Sequence, residues 1–225
     1  VPEGYAYYSL YPEAYLEAAN DFFHDHRPHE VTCLGIRSIG TSLSAVVAAT
    51  LEECGCLVQS YTVRCQGHPF DRRLVRAPAL EERWRAAGHG HFLVVDEGPG
   101  LSGSSLCSVA QKLGDLGVPD DRIVFFPSRG TDGSDLVSEA ARRRWPRHRK
   151  YLVSFEDLWI KSGRLARSLP GGPLVDISAG QWRSLFFREE SEYPAVQPWH
   201  ERRKYLCLRD PAPALELYPV TSETA

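Results

Sequence analysis

Apolar positions recur along the chain in two alternating rhythms, one helical and one extended. Residues 12–27 carry Leu16, Ala19 and Phe23 at helical spacing, which predicts a helix. A short apolar run at 31–36 predicts a buried strand. Arg37-Ser38-Ile39-Gly40-Thr41 then turns into a helix with Leu43, Val46, Val47 and Leu51 on one face. Residues 57–64 predict a second strand. A polar, proline-containing stretch at 65–73 reads as a loop, and a helix follows near 79–87. The run at 92–96 predicts a third strand, and Leu106, Val109, Ala110, Leu113 and Leu116 line one face of the next helix. A strand at 123–126, a helix at 134–144 and a strand at 151–155 continue the alternation. Strands separated by helices predict an α/β fold whose mainly parallel sheet is flanked by helices. Residues 156–225 are less regular, hold three of the five Trp, and predict a C-terminal extension to a core at 1–155.

Length and composition narrow the class. A chain of 225 residues fits one α/β domain with a small extension. The net charge of −3 gives no electrostatic footprint for nucleic acid or a membrane surface, and the basic stretch at 142–150 is too local to change that. Six Cys contain no C-x-x-C pair, the closest being Cys54-Gly55-Cys56, so neither a zinc ribbon nor a thioredoxin-type site is indicated. Cys33, Cys107 and Cys207 sit in apolar runs and read as buried thiols, which predicts a reducing, cytoplasmic setting. No signal peptide is evident. The absence of Met predicts trimming, or a longer product with an upstream domain. His24, His26 and His29 do not share a helix face and read as exposed, not as metal ligands.

The chemistry concentrates in "HFLVVDEGPGLSGSSL", residues 91–106. Gly98-Pro99-Gly100-Leu101-Ser102-Gly103 matches G-x-G-x-x-G, which raises an NADP-dependent reductase as one reading. That reading needs the glycines in the first βα unit and an acid at the tip of the next strand. Here two strands precede the match, and the next strand ends Phe126-Pro127-Ser128-Arg129. Asp96 and Glu97 would also repel a dinucleotide pyrophosphate. A ribose 5-phosphate suits the stretch better. The two carboxylates accept hydrogen bonds from its 2′ and 3′ hydroxyls and lie near a bound Mg²⁺, reached through substrate or water. The backbone amides and hydroxyls of Ser102, Gly103, Ser104 and Ser105 wrap the phosphate at a helix N-terminus.

At these residues the chain resembles the type I phosphoribosyltransferases. Their signature is an apolar strand, two acids, two small or apolar residues and a Ser/Thr-Gly turn into a helix. Phe92-Leu93-Val94-Val95-Asp96-Glu97 and Ser102-Gly103-Ser104-Ser105 fit it with one extra residue between. The resemblance covers roughly residues 30–155. It implies that Arg37, Ser38, Ile39, Gly40 and Thr41 form the loop that meets the pyrophosphate of phosphoribosyl pyrophosphate (PRPP). It also implies that the stretch after Val63 is a mobile loop, whose Arg64, His68, Arg72 and Arg73 supply charge to the leaving pyrophosphate. Departures are Gly100, where purine-specific members carry a third acid, and Gly98-Pro99 in place of branched apolar residues.

The resemblance thus implies transfer of 5-phosphoribosyl between Mg²⁺-bound PRPP and a nitrogenous acceptor, or the reverse attack on a nucleoside monophosphate. Asp96, Glu97, Arg64 and Arg72 would carry the reaction, and a homodimer is possible within the same reading. A second reading keeps the fold and the binding, as a PRPP- or nucleotide-sensing domain without turnover. Each site residue also has a plainer role open to it. Asp96 and Glu97 could be surface acids at a strand end, though the Ser/Gly enrichment directly after them favours function; Arg37 reads also as half of an ion pair, and Arg72-Arg73 as a solvated loop face. Trp182, Arg183, Trp199 and the run at 200–204 either shape an acceptor pocket or pack on the sheet. Ser102 lacks the G-x-S-x-G elbow of an acyl-transfer nucleophile.

Overall fold

The computed structural model describes residues 10–75, 78–87 and 90–164. The chain enters through α1 (Pro12–His26), which starts on a proline at its first turn and ends where Arg27 turns left-handed at φ 43°. It continues through β1 (Glu30–Ile36), α2 (Ile39–Glu53) and β2 (Leu57–Val63). A two-stranded hairpin, β3 (Cys65–His68) with β4 (Asp71–Leu74), precedes α3 (Pro78–Ala86). Next come β5 (His91–Val95), α4 (Ser104–Asp115), β6 (Ile123–Phe126), α5 (Glu139–Arg144) and β7 (Arg149–Lys150). A π-helical turn at Glu156–Lys161 packs Trp159 near Tyr11 at the head of α1, their ring centroids 5.9 Å apart.

Five strands form one parallel sheet in the order β2-β1-β5-β6-β7. The three central strands, β1, β5 and β6, are buried and largely apolar on both faces because both faces are covered. Leu93 and Val95 of β5 join Val31, Cys33, Val124 and Phe126 under α1 and α2, where Phe22, Leu43, Val47 and Leu51 fill the layer. Phe92 and Val94 point the other way, with Leu34, Ile36, Ile123 and Phe125, against Trp84 of α3, Leu106, Val109 and Leu113 of α4, and Trp145. Burial pushes the Cys33 and Cys107 thiols up to about 12, as befits small core side chains.

The strand order places the site. From β1 the chain steps outward to β2, then returns to lay β5 on the opposite side of β1. Connections therefore diverge at the β1–β5 junction, and the carboxyl ends of those strands border a crevice, the general ligand position of open α/β sheets. The turns at 37–41 and 96–103 flank it.

Three segments differ from the sequence expectation. The stretch 65–73 is a β-hairpin, not a loop, with Cys65 paired to Leu74 and Gly67 to Arg72. Helix 134–144 shortens to Glu139–Arg144, since Thr131 and Asp132 side chains bond the amides of Gly133 and Ser134 in turn geometry and Ser138 caps the helix. Strand 151–155 pairs only at Arg149–Lys150, where Phe125 meets Lys150. His26 departs too: its ring lies 4.7 Å from that of His91 at the amino end of β5, and burial drives the His91 pKa down to about 4. Among the described residues no helix is long and apolar enough to cross a membrane.

Phe22 joins α1 to the sheet, its ring centroid 6.0 Å from Phe126 and 5.5 Å from Tyr151. Phe22→Ala should cost about 3–5 kcal/mol. Urea titration should show a lower midpoint at an unchanged slope.

Candidate functional site

The turn at 37–41 is pressed against the end of β5. A Cβ on Gly40 would lie 2.6 Å from the Val95 carbonyl oxygen and 3.0 Å from Asp96 Oδ1. Only glycine permits that approach, so the first turn of α2 and the acid pair share one wall of the crevice. Ser38 and Thr41 are exposed there, and Ile39 packs into the core below. Arg37 takes a different course. Its Nε donates to Thr62 Oγ1 at 3.0 Å, toward the edge strand, and among the described residues it forms no ion pair. With Arg64, Trp84 and Lys112 it lines a separate cavity of about 200 Å³.

Asp96 follows the last residue of β5 and is buried at 7% exposure. Its backbone is held twice, by the amide donating to Phe126 O at 3.3 Å and by the Tyr15 hydroxyl donating to Asp96 O at 2.9 Å. Its side chain is not held in the same way. Asp96 Oδ1 and Glu97 Oε2 are both buried and find no hydrogen-bond donor among the described residues. Buried polar atoms are normally satisfied, and unmet acceptors cost about 1–3 kcal/mol each. Burial pushes the Asp96 carboxyl well above the ordinary range, the neighbouring Glu97 carboxyl pushes the same way, and the Arg72 charge partly opposes them. Two acids at a strand end on the surface would show none of this.

The turn after the acids is fastened by protein. Ser128 donates its amide to Gly98 O at 2.9 Å and its hydroxyl to Glu97 O, while Gly103 N donates to Pro99 O at 2.9 Å. Gly103 sits at φ 66° directly before α4, and a Cβ there would lie 2.7 Å from Leu136 Cδ1. Gly103 at the head of α4 has no side chain to cap it, and the first helical amide, Ser104 N, donates to Ser102 Oγ at 3.3 Å. The hydroxyls of Ser102 and Ser104, 3.0 Å apart, both point to one place. There they meet the Pro69 carbonyl oxygen at the tip of the β3–β4 hairpin, at 2.9 and 2.8 Å. Ser105 lies on the first turn of α4, and its carbonyl accepts from the Cys65 thiol at 3.6 Å.

The structure therefore brings Gly40 against Asp96, sets Ser102 beside Ser104 at the turn after the acids, and lets the Arg72 charge act on Asp96. It places Arg64 and the Arg37 side chain along the sheet edge instead. His68 and Arg73 are exposed on the hairpin, Arg73 paired with Asp71 at 3.0 Å. A cleft of about 400 Å³ follows the polar stripe of α4 behind the hairpin and touches the site only through Ser104 and Arg72. Beside the acid pair, Tyr11, Tyr15, Ser128, Tyr151 and Phe155 line an apolar pocket of about 100 Å³. Tyr15 and Ser128 escape sequence reading. Ser128 stands at the carboxyl tip of a strand, a position that alone signals a site, but nothing in the chain ties Tyr15 to Asp96. Trp182, Arg183, Trp199 and the run at 200–204 lie outside the described residues.

A carboxyl whose folded pKa is raised contributes stability that is complete at low pH. That contribution is lost as pH climbs from the ordinary carboxylate range, about 4, through the raised value. Asp96→Asn removes this titration and keeps the shape. The variant should melt higher than wild type at pH 7–8, by about 1 kcal/mol, with the gap closing toward pH 4. Thermal unfolding at several pH values reads this directly, and an equal gap at every pH would contradict the assignment.

Neither the models of known protein families nor the sequences of curated proteins contain a match to this chain, so the site is interpreted through its geometry and its motif.

Proposed function

We propose that the protein is a phosphoribosyltransferase that moves 5-phosphoribosyl between PRPP and a nitrogenous acceptor, on a type I phosphoribosyltransferase fold. The observation that carries the reading is the pair of buried, unpartnered carboxyl oxygens, Asp96 Oδ1 and Glu97 Oε2, set directly before a serine-rich helix start. A ribose diol supplies two donors for those two acceptors. The 5-phosphate then falls on the hydroxyls of Ser102 and Ser104 and on the amides at the head of α4, where the helix dipole favours its charge.

Other features support the same arrangement. The start of α2 lies against the acids through Gly40, and a helix N-terminus there favours the charge of a pyrophosphate. Arg72 is the hairpin cation whose field reaches Asp96, which makes it the counter-charge for a leaving pyrophosphate. The aromatic pocket of Tyr11, Tyr15, Tyr151 and Phe155 adjoins the acid pair and suits a flat heterocyclic acceptor.

With their free oxygens taken by the ribose diol, Asp96 and Glu97 would reach Mg²⁺ only through substrate hydroxyls or water, a setting that suits an ion which keeps several waters. When bound, the ion would neutralise charge on the pyrophosphate. The chain's own part is to hold the diol, position sugar and acceptor, and exclude water. Bond breaking at the anomeric carbon passes through an oxocarbenium-like sugar, so charge held by Arg72 counts most in the transition state.

The test is PRPP binding, together with pyrophosphate release over a panel of bases. The double variant Asp96→Asn, Glu97→Gln should bind PRPP more weakly by about 1–3 kcal/mol per lost charged hydrogen bond while staying folded. Arg72→Ala should lower kcat more than it weakens PRPP binding, whereas Arg64→Ala, placed at the sheet edge, should act less on both. Unchanged PRPP affinity in the double variant would sink the assignment. Tight PRPP binding without turnover on any base would make the domain a sensor.

A further inference from the structure

The hairpin tip sits where the phosphate would. Of the turn's three hydroxyls, those of Ser102 and Ser104 both donate to one acceptor, the Pro69 carbonyl oxygen, at 2.9 and 2.8 Å. Two donors converging on a single oxygen is the arrangement a phosphate oxygen takes. Here a neutral backbone carbonyl stands in that place. We propose that the β3–β4 hairpin is a built-in plug, and that a phosphate monoester enters only by ejecting its tip. The proposal rests on the 102–105 turn being the phosphate site.

The hairpin divides into a fixed base and a releasable tip. At the base Cys65 is buried, its thiol donating to Ser105 O at 3.6 Å and accepting from Ser108 Oγ at 3.2 Å, and Leu74 packs on the core. At the tip, residues 66–71 are all exposed, with Phe70 at 42%. Among the described residues the tip's side-chain bonds to the rest of the protein are those two hydroxyl contacts, and the Phe70 amide bonds back to His68 Nδ1 at 3.3 Å. Gly67, at φ 98°, provides a residue that accepts large backbone change between base and tip.

Competition favours the phosphate. Hydrogen bonds to an ionised acceptor are about twice as strong as those to a neutral carbonyl, and the α4 dipole adds attraction that a carbonyl scarcely feels. A sugar or base without phosphate has no such advantage and leaves the plug seated. Ejection also moves Gly67 and its cross-strand partner Arg72, so phosphate arrival is linked to the position of the cation nearest Asp96. The plug lowers apparent affinity by the fraction of molecules that are open, and loosening the tip should restore it.

Hydrogen exchange of the 66–71 amides, with ribose 5-phosphate and ribose as probes, tests this on the full chain. Ribose 5-phosphate should speed exchange there, and ribose should not. The double variant Ser102→Ala, Ser104→Ala should show fast tip exchange without any ligand. Pro69→Gly, which leaves the serines and acids intact, should raise ribose 5-phosphate affinity by up to about tenfold if the plugged form outweighs the open one by that factor. Binding of ribose 5-phosphate with an unchanged or slower-exchanging tip would overturn the plug while leaving the phosphate turn in place. Binding that is indifferent to loss of both serines would overturn the turn itself. Absence of binding in both wild type and Pro69→Gly would overturn both, and slow tip exchange in the serine variant would refute the plug independently of any ligand.

Discussion

A Cβ on Gly40 would stand 2.6 Å from the carbonyl oxygen of Val95, and the crevice is organised around the absence of that atom. Parallel strands β1 and β5 lie side by side, so the turns leaving them compete for the same space at their carboxyl ends. Bulk at this point would push α2 away from β5. The acid pair would then be half-solvated at a strand end, with ordinary titration and water for partners. Close approach instead buries Asp96, lifts its pKa, and leaves carboxyl oxygens without donors. A steric allowance in one residue thereby becomes an electrostatic property of the site.

Around that contact the protein ties the backbone and leaves one carboxyl oxygen of each acid without a donor. Asp96 is tied through its amide and carbonyl, to Phe126 and Tyr15, and Glu97 through its carbonyl, to Ser128. Carboxyl groups fixed in place yet unmet are costly in the empty protein, and a ligand with matching donors recovers that cost on binding. Stability is surrendered where chemistry is to occur, and the surrounding layers of Phe22, Phe126, Leu93 and Val95 are what make the surrender tolerable.

The parallel sheet was legible because each central strand is apolar on both faces, and runs such as Phe92-Leu93-Val94-Val95 admit little else. The places of the acid pair at a strand end and of the serine turn at a helix start were legible because the apolar runs on either side mark where strand ends and helix begins. Other features were hidden for physical reasons. The hairpin at 65–74 has only four-residue strands, rich in polar side chains, because it lies on the outside and buries little beyond Cys65 and Leu74. Helix α5 lost its first turn to side-chain bonds from Thr131 and Asp132, a local contest that periodicity does not register. Arg37 follows its expected turn in backbone, yet its side chain goes to Thr62, since nothing in sequence spacing determines which way a long exposed side chain leans.

The G-x-G-x-x-G match is resolved by the same bonds. Its first half, Gly98 and Pro99, is buried, with Gly98 O taken by Ser128 and Pro99 O by Gly103. Gly100 turns at φ 58° and its carbonyl accepts from Arg129, itself paired with Asp135 at 2.7 Å. These glycines let the chain fold back on itself between strand and helix, and they present no open amide cradle of the dinucleotide type. The second half, from Ser102 onward, is tied to the hairpin tip by two hydroxyl bonds that a ligand could replace. The motif therefore divides into a structural knot and, in the proposed reading, a binding turn. A phosphate confined to that end avoids the repulsion that Asp96 and Glu97 would exert on a pyrophosphate laid along the whole motif.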